Sequence, residues 1–263
     1  MVYKKVGAEL AHTYKEFKDL TNLPLSDKII RSEQLILKAL KTYKTPAVSC
    51  SWGKDSIAML HLIRKHCKKA IVLFANTKVE YPQTYKYRDV MLELWDLNYH
   101  ESTPIKSFWK CVEEYGYPST TRTDKAKTPK CCMYCKEKPL RQLQKDLGAD
   151  CAFIGLRATE SMSRRLLFIR EGELYYAKSQ DIAKCYPIMI WQEKDILQYI
   201  GDNQIPMNDV YKITKRNGCM PCTGFKNWRA VMAKMNPKLY QKVSRDLGQA
   251  TLHDCFERTS NGN

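Results

Sequence analysis

Residues Ala47–Ser56, AVSCSWGKDS, restrict the possible folds of this chain more than any other stretch. Two apolar residues, Ala47 and Val48, lead into a loop holding Ser51, Gly53, Lys54, Asp55 and Ser56. Behind it, Ile57, Ala58, Leu60, His61 and Leu62 have the spacing of an amphipathic helix. A strand that turns sharply into a helix aims unpaired backbone N–H groups at one spot, and the helix dipole adds partial positive charge there. Such a spot suits a phosphate. Gly53 lets the backbone approach closely, Lys54 supplies a cation, and the Ser51 and Ser56 hydroxyls can donate hydrogen bonds. A polar strand–helix turn with no ligand is the plainer alternative.

The rest of the chain alternates strands and helices. A helix is expected from Ser26, as N-cap, to Lys41, with Ile29, Ile30, Ile36 and Leu40 inward. After strand Ala47–Cys50 and helix Ser56–Cys67 comes AIVLFA (Ala70–Ala75), the unbroken apolar run of a central parallel strand. Pro82 opens a helix to Leu94, Tyr99–Ser102 is a short strand, and Ile105–Tyr115 is helical. A basic, breaker-rich loop (118–130) precedes a helical segment, Cys132–Leu147, and a buried strand, Cys151–Gly155. A hairpin around Glu171-Gly172 is expected over 166–177, a helix over Glu193–Ile200, a loop over Ile205–Thr223, and two closing helices. This order predicts a doubly wound, mainly parallel α/β sheet with its ligand beyond the strand C-termini. The organisation read from it is a polar segment over 1–25, an α/β domain over 26–225, and C-terminal helices with a polar tail over 226–263.

With 44 basic against 28 acidic residues, the net charge of +16 favours polyanionic partners, nucleic acid among them. A lysine-rich proteome would give the same excess. The opening MVYKKVGAELAHTYKEF lacks the apolar core of a signal peptide, and no apolar run reaches the roughly 20 residues that cross a bilayer. The expectation is a cytoplasmic protein without a membrane partner. Eleven cysteines in such a chain point to reduced thiols, metal or sulfur chemistry rather than disulfides.

Those cysteines gather in TPKCCMYCKEKPL, with Cys131, Cys132 and Cys135, and in RNGCMPCTGF, with Cys219 and Cys222. Four thiolates can hold a tetrahedral zinc or an iron–sulfur cluster, and free cysteines also serve as core residues. Neighbours such as Cys131 and Cys132 bend with difficulty toward one small ion, which favours a larger cluster. Cys135 lies one helical turn from that pair and reads as packing before sulfur relay. Cys50, Cys67, Cys111, Cys151 and Cys185, in apolar or helical contexts, also read as packing.

SWGKDS resembles the SGGKDS signature of PP-loop ATP pyrophosphatases, with Trp52 in place of the first glycine; the spacer of a Walker A loop is missing. TPKCCMYCKEKPL resembles the CC-x-x-x-K-x-x-PL segment of sulfonucleotide (APS/PAPS) reductases, and GCMPC the second cysteine pair of their cluster-bearing branch. NTKVEYPQTY (Asn76–Tyr85) is similar to that family's DTG-x-x-FPETY, and GLRATESMSRR (Gly155–Arg165) to its G-x-R-x-x-x-S-x-x-R element. PIMIWQEKDILQYI (Pro187–Ile200) has its Trp–Asp–Tyr–Ile helix. The resemblance spans residues 45–225. It implies an adenosine nucleotide, ATP or adenylyl sulfate, held by Ser51, Gly53, Lys54, Asp55 and Ser56. It also implies a [4Fe–4S] cluster on Cys131, Cys132, Cys219 and Cys222. Arg157, Arg164 and Arg165 suit phosphate or sulfate oxygens, since guanidinium forks bind them bidentately, and Ser161 can assist.

The tail departs from the reductases. Their Glu-Cys-Gly-Leu-His ending is replaced by TLHDCFERTSNGN, in which Cys255 is a displaced nucleophile candidate with His253 beside it. Trp52 and Lys78, each replacing a glycine, are expected to alter the nucleotide pocket. The leading reading is an iron–sulfur PP-loop enzyme that splits ATP to AMP and pyrophosphate and delivers sulfur to nucleic acid, as in DNA phosphorothioation or tRNA thiolation. Lys54 and Asp55 act at the phosphates, with Mg²⁺ bridging them. The alternatives are an adenylyl-sulfate reductase yielding sulfite and AMP, and a non-catalytic nucleic-acid or partner-binding module. A cysteine desulfurase or thioredoxin-like donor, and assembly as a homo-oligomer or as a subunit of a complex, complete the expected partners.

Overall fold

A computed structural model describes residues 10–119 and 128–248. The elements run α1 (Tyr14–Thr21), α2 (Leu25–Thr42), β1 (Pro46–Ser49), α3 (Lys54–His66), β2 (Ile71–Ala75), α4 (Pro82–Trp95), β3 (Asn98–Ser102) and α5 (Phe108–Tyr115). A helical run follows as α6 (Lys130–Cys132), a π-helical turn (Met133–Glu137) and α7 (Lys138–Asp146). Then come β4 (Cys151–Ile154), α8 (Met162–Glu171), β5 (Leu174–Ala177), β6 (Ile182–Cys185), α9 (Glu193–Asp202), α10 (Trp228–Met235) and α11 (Pro237–Asp246). No helix among the described residues is long and apolar enough to cross a membrane.

The six strands form one sheet in the order β3-β2-β1-β4-β6-β5. Every pairing is parallel except β5 with β6. In register, Val48 of β1 lies between Val72 of β2 and Phe153 of β4, and all three are fully buried. Helices on both faces explain why these strands read as unbroken apolar runs. The strand order reverses beside β1, between β2 and β4, so the crevice of the α/β sheet opens beyond the C-terminal ends of β1 and β4.

Three expectations are corrected. Helix α2 begins at Leu25 behind Pro24, and Ser26 bonds Asp27 rather than capping the helix. Proline fixes the extended backbone that precedes the helix without needing a side-chain cap. Ile30 is exposed, because Lys28 and Ser32 take the buried positions of that face. The hairpin is displaced: α8 continues to Glu171, Gly172 terminates it at φ 74°, and the antiparallel pair is β5–β6.

The Trp–Asp–Tyr–Ile pattern is a fastening of α9 to the core. Trp191 Nε1 donates to Ser32 Oγ at 3.0 Å, and Asp195 accepts from the buried Lys28 ammonium at 2.6 Å and from the Gln192 N–H at 2.6 Å. Tyr199 OH lies 2.8 Å from His61 Nδ1, and Ile200 is buried. Removing one member of the Lys28–Asp195 pair strands the other charge in the core. Asp195→Ala should therefore lower unfolding free energy by about 3–5 kcal/mol in urea titrations, whereas the double change Lys28→Met/Asp195→Leu should cost far less.

Burial holds His61 neutral, with a pKa pulled to about 4 and Lys65 and Arg64 adding to the shift. The unfolded chain binds this proton near the ordinary 6.5, so folding excludes a proton in the window between those values. Stability should be fully present above pH 6.5 and fall as the pH drops toward 4, with a slope moderated by solvent because the ring is only half buried. Urea midpoints measured across that window should show the slope, and His61→Gln should flatten it.

Candidate functional site

The loop after β1 is folded around the Ser56 hydroxyl. It donates to Gly53 O at 3.0 Å, accepts from the Ser51 N–H at 3.2 Å, and lies 3.3 Å from Ser51 Oγ. A later segment clamps the loop from outside. Asn217 Nδ2 donates to Ser51 O at 2.8 Å, Asn208 Nδ2 to Trp52 O at 3.1 Å, and Tyr211 OH accepts the Lys54 N–H at 2.9 Å. At the end of β4, Gly155 sits against the start of α3, where an added Cβ would lie 3.0 Å from Ser56 Cα. Only glycine permits this approach.

Trp52 and Lys78 lie in the left-handed region that glycine favours, at φ 60° and 63°. The Trp52 ring is fully buried against Phe74 and Tyr99, and Lys78 reaches Glu101 at 3.0 Å. Neither lines the cavity at the loop. That cavity, about 230 Å³, is lined by Ser51, Ser56 and Gly155 on one side and by Glu80, Lys136 and Asn217 on the other.

On the other side of Lys54 a cleft of about 620 Å³ opens, bounded by Lys54, Arg157, Thr159, Gln192, Glu193 and Lys215. Cations and carboxylates alternate along it. Asp55 bridges Lys54, at 3.3 Å, and Arg157; Lys54 also meets Glu193 at 3.4 Å, and Arg157 meets Glu160 at 3.0 Å. Glu160 in turn pairs with Arg164, whose pKa burial lowers while Asp55 nearby acts in the other direction. Ser161 caps α8 through the Arg164 N–H at 3.3 Å. Arg165 turns away, its guanidinium 5.1 Å from the Phe17 ring and 5.7 Å from that of Tyr14 on α1.

The cysteine pairs do not line the cavity but lie behind Glu80 and Lys136, which do. Met220 N–H donates to Val79 O at 2.8 Å and Glu80 bridges Cys219, so the 219–222 turn is laid against the segment between β2 and α4. The Cys131 and Cys132 thiols hydrogen-bond to each other, and Cys131 feels the charges of Cys222 and Cys219. That hydrogen bond, with Lys136 and Arg216 behind it, pulls Cys132 to about 6, while Cys131 is driven up. Burial pushes Cys219 to about 12. Arg216 Nη1 lies 3.8 Å from Cys222 Sγ, and Lys136 lies 3.1 Å from Glu80. Among the described residues, no three histidine, cysteine or carboxylate side chains come together tightly enough for a single ion. Two cations, Lys136 and Arg216, face these four thiols from two distant segments. Cys135 instead donates to Lys106 O at 3.2 Å, and Cys255 lies outside the described residues.

Sequence reasoning passed over Tyr211, Asn208, Asn217, Glu80, Glu193 and Arg216. Glu80, Glu193, Arg216 and Asn217 lie inside the motifs quoted above, whereas nothing local marks Asn208 or Tyr211. Lys136 was in view, as the lysine of CC-x-x-x-K, without a role. Thr84 and Tyr85 of the YPQTY motif prove to be fasteners: Thr84 bonds Asn217 at 2.7 Å, and Tyr85 bonds Asn76 at 3.0 Å.

Because a Cβ at position 155 would press on backbone, Gly155→Ala should displace the loop. We expect a stability loss of about 1–3 kcal/mol in denaturant titrations and at least a tenfold weaker nucleotide affinity by calorimetry (about 1.4 kcal/mol).

Residues 45–225 match the phosphoadenosine phosphosulfate reductase domain. An adenosine 5'-phosphosulfate reductase of Oceanobacillus iheyensis is 29% identical over 201 residues, covering 75% of this chain and 79% of that protein. A phosphoadenosine 5'-phosphosulfate reductase of Xylella fastidiosa is 26% identical over 197 residues, covering 74% and 79%. Among solved structures, the phosphoadenylyl-sulfate reductase of Candida auris superposes with a TM-score of 0.57 at 18% identity, over 81% of this chain and 98% of that one. The FMN adenylyltransferase of Candida glabrata gives 0.54 at 12% identity, over 78% and 68%. With more than half its length matched and the nucleotide loop at the β1/β4 crevice, the chain belongs to the phosphoadenosine phosphosulfate reductase family of enzymes, within the PP-loop fold.

Proposed function

We propose that this family member uses ATP to activate an oxygen of a nucleic-acid substrate and replaces it with sulfur. The observation that carries this reading is the pairing of the loop cavity with a cleft of about 620 Å³ bordered by Lys54 and Arg157. Adenosine occupies the cavity and the phosphates enter the cleft. The substrate oxygen attacks the α-phosphorus, pyrophosphate leaves, and sulfide-level sulfur then displaces AMP. Atoms balance as acceptor–OH, ATP and hydrosulfide giving acceptor–SH, AMP and pyrophosphate.

Each residue has a defined task in this scheme. The backbone N–H groups behind Lys54 at the start of α3 and the Ser51 hydroxyl bind the phosphate nearest the ribose, while Ser56 holds the shape of the loop. Lys54 and Arg157 stabilise charge that grows on the phosphates as the bond breaks. Asp55 holds both cations in place, and Mg²⁺ accompanies the nucleotide. Cys131, Cys132, Cys219 and Cys222 would hold a [4Fe–4S] cluster, with Lys136 and Arg216 offsetting its charge. When bound, such a cluster supplies redox-active, sulfur-ligated iron beside the cavity.

The relatives, which are named for reduction of sulfonucleotides, favour a second reading: adenylyl sulfate reduced to sulfite and AMP, with Cys255 as nucleophile. One pair of assays separates the two. With ATP, Mg²⁺ and nucleic acid, pyrophosphate should be released, and Lys54→Met should lower the rate by about 10²–10³-fold. Sulfite formed from adenylyl sulfate and thioredoxin, and lost in Cys255→Ser, would instead establish reduction.

Protein purified without oxygen should be brown, carry about four irons per chain and bleach on reduction. Cys219→Ala should lose iron while keeping its far-UV circular dichroism. A colourless protein would remove the cluster from the scheme.

A further inference from the structure

An exposed aromatic–basic face adjoins the thiols without taking part in the nucleotide site. Tyr115, on the last turn of α5, and Tyr134, in the π-helical turn, have centroids 6.1 Å apart and planes within 11° of parallel. Lys106 Nζ lies 5.3 and 4.9 Å from the two centroids, Lys130 lies 5.8 Å from Tyr115, and Lys138 lies 4.8 Å from Tyr134. On its flank, Lys242 of α11 stands 4.2 Å over the Trp109 ring. Tyr115 is 45% exposed, far above what packing alone would leave to a large ring in a core.

The charges on this face do not cancel. Lys106 pairs with Glu114 and Lys110 with Glu113, and Glu137 faces Arg141 on α7. Lys130, Lys138 and Lys242 form no ion pair among the described residues, which leaves a positive surplus around the rings. Aromatic faces interleaved with lysines are what an unpaired strand needs: bases stack on the rings and phosphates meet the ammonium groups. A duplex hides its base faces and could use only the lysines.

Position adds to the case. Tyr134 sits two residues from Cys132 in the same helical run, and both pack with Cys131, Phe108 and Trp109 in one cluster. We propose that this face is a docking platform for single-stranded nucleic acid, with Tyr115 and Tyr134 stacking successive bases. The proposal deepens the sulfur-transfer reading and rests on it for calling that strand the acceptor. A strand on the platform runs beside the thiols, on the cluster side of the nucleotide cavity.

The test is fluorescence anisotropy with the full-length protein, a labelled mixed-sequence single-stranded RNA or DNA 20-mer (about 20 nucleotides, longer than one stacking platform needs), and its duplex. Single strands should bind more tightly than duplex and weaken as salt rises. Tyr115→Ala/Tyr134→Ala should weaken single-strand binding by about 30-fold or more, while the Phe/Phe double variant stays within about threefold, since a phenyl ring still stacks. Lys138→Glu, at an exposed position, should also weaken binding and reduce the salt dependence. Thermal melts check that each variant folds. Absence of single-strand binding, equal affinity for duplex, or indifference to the Ala/Ala change would overturn the proposal. So would competition by poly-glutamate as strong as by oligonucleotide with both tyrosine variants unaffected, which would assign the face to an acidic protein. The measurement needs no ATP, so its outcome is separate from that of pyrophosphate release.

Discussion

The site depends on holding the start of α3 open. Helix N-termini leave N–H groups without partners, and a chain left alone would close the end with a side-chain cap. Gly53, at the N-cap, has no side chain to offer, and Ser56 turns its hydroxyl back to Gly53 O and Ser51 instead. The loop is stiffened from within and braced from outside by Asn208, Tyr211 and Asn217. Those braces lie just before Cys219. One segment therefore both clamps the loop and lays the second thiol pair against Val79 and Glu80.

Charge balance follows the same logic. Lys54 and Arg157 would repel each other beside an empty crevice, and Asp55 and Glu160 relieve that by standing among them. Glu193 is mostly exposed and pairs with Lys54 from the cleft's edge. An arriving anion competes with this outer carboxylate while Asp55, tied to both cations, stays. On the thiol side Lys136 plays the equivalent part between Glu80 and Cys219. Burial works against its charge, but the two neighbours outweigh that and hold the ammonium above its ordinary range.

Two residues hold a backbone conformation that glycine usually supplies. Trp52 and Lys78 occupy the left-handed region, which costs a non-glycine residue roughly 1–2 kcal/mol. At Trp52 the expense is offset by burial of a complete indole against Phe74 and Tyr99.

Local pattern determined the strand–loop–helix, the parallel sheet, the positions of Lys54, Asp55 and Ser56, and the two cysteine groups. Short-range rules of periodicity, dipole and steric freedom operate within a few residues, so they are readable from neighbours. The same rules misplaced the hairpin, because Glu171-Gly172 ends a helix as readily as it turns a strand, and only the pairing of β5 with β6 decides between them. They also could not assign Arg164 and Arg165, adjacent in sequence, to opposite directions, one toward Glu160 and the other toward Phe17. Which side chain faces the crevice depends on what packs against each face of α8. The braces Asn208, Tyr211 and Asn217, the Glu80–Lys136 pair and the meeting of residues 131–132 with 219–222 were likewise decided by tertiary structure. Each joins positions that are remote along the chain, and a single sequence carries no record of distance across a fold.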